Sequence, residues 1–272
     1  MIYHYTSVEN FIKIIESKEL YLFNAFNMND NLEINWINHL IDEEFKSFHE
    51  KKLIEKTIKL YNLNKATPYL CCFSYDGDLL SQWRAYAEDG CGIAIGFDET
   101  KFNIGRKLPV TSSSSDLCTG LFDCIYDENV QKNMIHSSIE LAINTRNAFN
   151  NDNEVATINL SNSLRMYSLV MKNPAFIEEK EIRLIHLPLI LQHNKTYEIK
   201  MVGNISSIYF MKNKNGFSSF FKYSFESIFN DKLIPEIILG PKCNINLYDL
   251  DLFLNTNNLF NTKIIRSRAS YR

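Results

Sequence analysis

The chain has 272 residues, 45% of them hydrophobic, and a formal net charge of −3. That length and apolar share suffice for one large core or two small ones, and the mild acidity argues against nonspecific duplex binding as the main activity. The six cysteines include no C-x-x-C pair, no histidine cluster sits at zinc spacing, and no stretch is long and apolar enough to span a membrane; the expectation is a cytoplasmic chain with no metal, no membrane and no signal peptide.

In chain order, Tyr3-His4-Tyr5-Thr6 reads as a strand end running into a helix. Thr6-x-x-Glu9 fits a capping box with Thr6 as N-cap, and Val8, Phe11, Ile12 and Ile15 repeat at helical spacing. Leu20-Tyr21-Leu22-Phe23 predicts a short strand, and Asn27-Met28-Asn29-Asp30-Asn31 a turn-rich loop. A long helix is expected from Glu33 to Tyr61, with Trp36, Ile37, Leu40, Ile41 and Phe45 turned inward. Tyr69 to Ser74 predicts a buried strand with Cys71 and Cys72 on opposite faces, Leu79 to Tyr86 a helix, and Ile93 to Phe97 a strand.

The serine-rich stretch Thr111 to Asp116 has loop composition, and Leu121 to Tyr126 reads as a strand. Two helices are expected between Asn129 and Lys172, with a polar break at Asn150 to Asn153. Strands follow at Glu181 to Leu187, near Tyr197 to Val202, at Glu236 to Gly240 and at Lys263 to Arg266, with a helix from Asn246 to Leu254. No repeat or linker interrupts the chain. One globular domain over 1–272 is expected, with a helical insertion around 128–172. Helices and strands do not alternate regularly, so the fold class is α+β, with mixed, mainly antiparallel sheets and flanking helices.

Two distant segments carry the chemistry of interest. At the opening, a helix N-terminus suits phosphate, His4 suits ribose hydroxyls and Tyr5 suits an aromatic ring; alternatively Thr6 only caps, and His4 and Tyr5 are packed strand residues. Downstream, Glu178-Glu179-Lys180-Glu181-Ile182-Arg183 read as a strand places Glu179, Glu181 and Arg183 on one face. A carboxylate there can steady positive charge on a sugar carbon as a glycosidic bond breaks, with Arg183 holding it or gripping a phosphate. A charged edge strand is the structural alternative. Glu178-x-Lys180 also matches half of a metal-dependent nuclease core but lacks the preceding acid that would hold Mg²⁺.

Between these segments, Ser81-Gln82-Trp83-Arg84-x-Tyr86 offers two rings to a base and a guanidinium to a phosphate, unless Trp83 is buried by its helix. Gly90-x-Gly92-x-x-x-Gly96 has the wrong spacing for a dinucleotide loop and precedes a strand, so close packing explains it better. His186 reads as a satisfied interior histidine. No Walker loop, nucleophile elbow or H-E-x-x-H is present.

Four islands resemble a large bacterial family of unknown function. They are His4-Tyr5-Thr6 with Leu20 and Asn29-Asp30-x-x-Glu33; Phe73-Ser74 with Gln82-Trp83-x-x-Tyr86 and Gly92-x-x-x-Gly96-Phe97; Glu179-x-Glu181-x-Arg183; and Ile238-x-Gly240-Pro241-Lys242. More distantly, the H-x-T opening with its helix and short strand is similar to the NAD-binding fold of nucleic-acid-modifying ADP-ribosyltransferases. That resemblance implies NAD as substrate, with His4 and Thr6 on a ribose, Tyr5 or Tyr21 by the nicotinamide and Ser74 on the second strand. It implies Glu181 as the catalytic carboxylate, Glu179 being the alternative; the residue types themselves put Gln82, Trp83, Arg84, Tyr86 and Arg183 forward as substrate-binding candidates. The implied activity is an ADP-ribosyltransferase or NAD glycohydrolase acting on nucleic acid, protein or water, in a toxin or phage-defence role. The alternative is a noncatalytic nucleotide- or nucleic-acid-binding module using Trp83, Arg84 and Tyr86.

Overall fold

The computed structural model describes residues 1–25, 35–63, 68–149, 152–192, 198–213 and 216–269. Its strands are Ile2–Thr6 (β1), Glu19–Asn24 (β2), Tyr69–Ser74 (β3), Ile93–Phe97 (β4), Thr119–Asp123 (β5) and Glu181–His186 (β6). They continue with Leu189–Gln192 (β7), Ile199–Val202 (β8), Tyr209–Asn213 (β9), Gly216–Ser224 (β10), Glu236–Leu239 (β11) and Lys263–Arg266 (β12). The large sheet runs β12-β11-β4-β1-β3-β2-β10-β9, with β6 on β3 and β5 on β6; β7 and β8 form a separate pair. Among the described strands, every strand pair is antiparallel except β11 with β12. The fold is α+β with a mainly antiparallel sheet.

β3 is where the sheet divides. One of its edges pairs with β6 from Tyr69↔His186 to Ser74↔Glu181. The other edge is shared: β2 takes the Tyr69–Leu70 end and β1 meets it only at Tyr3↔Ser74. Side chains alternate across a strand, so Tyr69, Cys71 and Phe73 face one way with Ile182 and Leu184. They join Ile2, Leu20, Leu22, Ile93, Ile95, Phe97 and Phe221 in the main core. Helices Val8–Ser17 (α1) and Leu247–Thr256 cover this core through Phe11, Ile15, Leu250 and Leu254.

A second core lies among helices. Asn38–Lys46, Lys51–Leu63, Glu128–Ala148 and Asn153–Ser168 pack around Ile37, Leu40, Phe45, Leu53, Ile135, Ile139, Leu160 and Leu164. The helical stretch expected around 128–172 therefore shares its apolar faces with the helices before β3. Trp36 Nε1 donates to Gln131 Oε1 at 3.0 Å, tying the two helical stretches together.

Several expectations about local structure are corrected. The cap of α1 is Ser7, whose Oγ accepts from Asn10 N at 3.1 Å. Thr6 cannot serve, because it is still paired in the sheet opposite Ile93. The long helix expected to Tyr61 breaks after Lys46, where Ser47 Oγ donates back to the Glu44 carbonyl. Residues 178–180 are not strand: Pro174–Glu179 is a 3₁₀ turn, Lys180 is left-handed with φ 45°, and β6 starts at Glu181. The Asn27–Asn31 loop and the Asn29-Asp30-x-x-Glu33 island lie outside the described residues.

Candidate active site

Because Tyr3 faces Ser74 across one ladder and Ser74 faces Glu181 across the next, Tyr3, Tyr5, Ser74, Cys72, Glu181 and Arg183 all lie on the sheet face away from the main core. Helix Leu80–Tyr86 crosses this face, with Trp83 packed edge-on against Tyr5 at 4.8 Å between ring centres. The backbone must come close for this: a β-carbon on Gly92 would stand 2.2 Å from the Thr6 carbonyl oxygen.

Under the end of that helix sits a cluster of four charged side chains. Arg183 Nε donates to Glu181 Oε1 at 2.8 Å and its Nη2 to Oε2 at 3.1 Å, a bidentate grip. Arg183 Nη1 donates to the Leu169 carbonyl at 2.9 Å, where helix Asn153–Ser168 ends. Lys172 Nζ donates to Glu181 Oε2 at 2.8 Å and to Glu179 Oε2 at 2.5 Å. Lys172 is 2% exposed and Glu181 7%. Gln131 fixes the lysine's backbone by donating to the Lys172 carbonyl at 2.8 Å. The second helical core thus reaches the site at two points.

The electrostatics favour an ionised Glu181. Burial alone raises its pKa, but the Arg183 and Lys172 charges outweigh that and hold it well below the usual carboxylate range. The Cys72 thiol lies near the same carboxylate, and burial with the Glu181 charge pushes its own pKa far up. Tyr126 Oη accepts the Glu181 amide at 2.9 Å. Glu179 is only partly buried, and Tyr86 is 48% exposed while lying close enough to Cys72, Glu179, Lys172 and Glu181 to feel their charges. Of the residues around the cluster, Tyr86 is the most exposed.

The fold brings only some of the expected site residues together. Glu179, Glu181, Arg183 and Tyr86 come together. Ser74 lies beside them but is buried, donating to the Glu179 carbonyl at 2.7 Å, so it fixes the turn that carries Glu179. Tyr5 shares the face, yet its hydroxyl donates to the Asp76 carbonyl at 2.7 Å and accepts the Leu79 amide at 2.9 Å. His4 and Thr6 lie on the opposite face, so the sheet separates them from Glu181. The His4 ring is 5.7 Å from Phe73, and Nδ1 lies 3.0 Å from the Cys72 carbonyl. That bond fills the interval where β1 has left β3. Burial lowers the His4 pKa, with the carbonyl bond opposing, so the ring is neutral there.

Tyr21 stands on the β2–β10 wing, stacked on Phe220 at 4.7 Å, away from Glu181. Trp83 is 0% exposed and its Nε1 donates to Asp78 at 2.8 Å, so it cannot stack on a base; Gln82 is also buried, while Arg84 is exposed. Glu178 and Lys180 are exposed on the turn before β6, so the strand geometry of the nuclease motif is missing there. Among the described residues no group of three or more His, Cys, Asp or Glu could hold a metal ion, and no helix is long and apolar enough to cross a membrane. Lys172, Cys72 and Tyr126 were not legible as site residues. The one signal was a lysine closing the run Leu169-Val170-Met171, which a helix reading absorbs.

A family model described as "Protein of unknown function (DUF2971)" matches residues 82–184. The matched stretch opens within helix Leu80–Tyr86 and closes within β6, so it contains Tyr86, Lys172, Glu179, Glu181 and Arg183. No curated protein and no solved structure matches the chain.

Proposed function

We propose that the chain breaks the N-glycosidic bond of NAD, as an ADP-ribosyltransferase or NAD glycohydrolase, and that its centre is the Glu181 cluster alone. The observation that carries this reading is a buried carboxylate kept ionised by Arg183 and Lys172, with Tyr86 and Glu179 between it and solvent. A buried ion network is a poor source of stability, since desolvation offsets most of the Coulombic gain. Perturbed ionisation beside an opening instead marks a candidate site. His4 and Thr6 take no part, for the sheet stands between them and Glu181.

The chemistry follows from the charges. As the bond from the ribose C1′ to the pyridinium nitrogen breaks, its electron pair returns to the ring and neutral nicotinamide leaves. Positive charge grows on C1′, and a fixed carboxylate in a low-dielectric site stabilises it. Arg183 and Lys172 hold Glu181 in place so that no reorganisation is needed in the transition state. The Tyr86 ring at the opening offers a face to the planar leaving group. A water or acceptor hydroxyl then bonds to C1′, and its proton passes to Glu179, the more accessible carboxylate. Loss of NAD or modification of nucleic acid or protein would harm the cell that makes the chain, which fits a toxin or phage-defence role.

The test is nicotinamide release from NAD by the purified protein, followed by chromatography with and without added nucleic acid. Wild type should release it, Glu181→Gln should abolish release, and Tyr86→Ala should weaken it with circular dichroism unchanged. No release by wild type under any acceptor condition, or full release by a folded Glu181→Gln protein, would overturn the proposal.

A further inference from the structure

The turn Tyr75–Leu79, between β3 and helix Leu80–Tyr86, makes contacts that the proposed chemistry does not use. Its Asp78 carboxylate collects three donors. Oδ1 accepts from Trp83 Nε1 at 2.8 Å and from the Ser267 hydroxyl, and Oδ2 accepts the Arg268 backbone N–H at 2.7 Å. Trp83 lies in the helix that ends in Tyr86, whereas Ser267 and Arg268 follow β12, the strand at the end of the sheet. Ile265 and Ala269 of that same segment pack against the cluster of Tyr5, Trp83, Ala94 and Ile238.

The same turn also reaches the carboxylates. Ser74 Oγ donates to the Glu179 carbonyl and accepts the Asp76 amide at 3.0 Å. Asp76 accepts from Lys180 Nζ at 3.1 Å, the residue between Glu179 and Glu181. The turn has little room to shift: a β-carbon on Gly77 would stand 2.6 Å from both the Tyr3 ring and Ile238.

We infer that Asp78 is a positioning residue that couples the segment Ser267–Ala269 to helix Leu80–Tyr86, so that docking of this segment sets where Tyr86 stands over Glu181. The consequence for activity rests on the function proposed above; the mechanical coupling does not. Asp78 touches no substrate in this scheme. It acts through Trp83, which is buried and can move only with its helix. The segment after β12 is then a strap. Seated on Asp78 it holds the helix down, and released it leaves the Asp78 carboxylate with Trp83 Nε1 alone of these three donors.

Hydrogen exchange measured by mass spectrometry on the full chain tests the coupling without reference to activity. In Asp78→Asn, amides 83–86 should exchange about tenfold faster or more, the scale expected when charge-assisted bonds are lost. Amides in β6 should keep their wild-type rates. Ser267→Ala should give a smaller acceleration at the same amides, and a chain ending at Arg266 should reproduce Asp78→Asn. Asp78→Asn combined with that shortened chain should give less than the sum of the two, because both remove the bonds of Asp78 to Ser267 and Arg268. Unchanged exchange at 83–86, acceleration that is equal in β6, or additive effects in the combined variant would each overturn the inference. Nicotinamide release should fall in the same order as exchange rises. Absent release in every variant, wild type included, would sink the proposed function while leaving the exchange result to decide the strap.

Discussion

Removing the imidazole of His186 should flatten the acid limb of the stability curve. His186 is 0% exposed on β6, opposite Tyr69. One ring nitrogen lies 3.0 Å from Thr119 Oγ1, the Phe221 ring stands 5.0 Å away, and Nε2 has no partner among the described residues. A proton added to this ring would be buried, and the cost of that burial outweighs the bond the Cys118 carbonyl offers, so the pKa falls to about 4. The unfolded chain takes its proton near pH 6.5, so stability from this group is complete above that value and drains away as pH falls toward 4. A shift of about 2.5 units corresponds to about 3.4 kcal/mol in full, of which about 2 kcal/mol is lost between pH 7.5 and pH 5. The assay is urea unfolding of wild type and His186→Leu across that interval. The wild-type stability should fall by about 2 kcal/mol more than that of the variant. His4 titrates in the same direction but is present in both proteins and cancels, and Glu181, whose folded pKa is also depressed, loses its contribution only below the ordinary carboxylate range. Parallel curves for the two proteins would refute the reasoning.

Three further outcomes are expected. Ser7→Ala should cost about 1 kcal/mol in urea unfolding through the lost cap of α1, and a neutral result would return the cap to another residue. Lys172→Ala leaves two carboxylates beside one guanidinium, and should cost about 3 to 5 kcal/mol; a variant as stable as wild type would mean that the lysine is held elsewhere in solution. Trp83→Ala should lower stability by about 3 to 5 kcal/mol as a cavity mutation, so a folded, fully stable variant that has lost only nucleic-acid affinity would contradict the burial of this ring.

Local patterns carried much of the fold. Val8, Phe11 and Ile15 mark α1, the run at 69–74 marks β3, and Lys263–Arg266 is the last strand in both sequence and structure. What stayed hidden was register between distant strands. Placing His4 rather than Tyr3 opposite Ser74 would have put the imidazole on the face of Glu181, and one residue of slip reverses every side chain in a strand. Nothing local to Tyr3-His4-Tyr5 encodes that choice; it follows from the core contacts of Ile2, Ile93 and Ile95. The E-x-E-x-R segment was legible as a charged cluster but misread as continuous strand, because the left-handed Lys180 breaks it. Lys172 was invisible for the same reason as the register: its partners lie on a different element.

The division of the sheet at β3 also governs the order in which the chain can fold during synthesis. β1 finds β4 within the first hundred residues, so that wing can form early. β2 touches β3 at two positions only, and its full partner, β10, lies about 200 residues downstream. At ordinary ribosome speeds, Leu20 and Leu22 would wait about 10 to 40 s for that partner. Nascent chains halted before residue 216 should therefore carry an open apolar flank that recruits chaperones, and chains long enough to include both β10 and the covering helix Leu247–Thr256 should shed them.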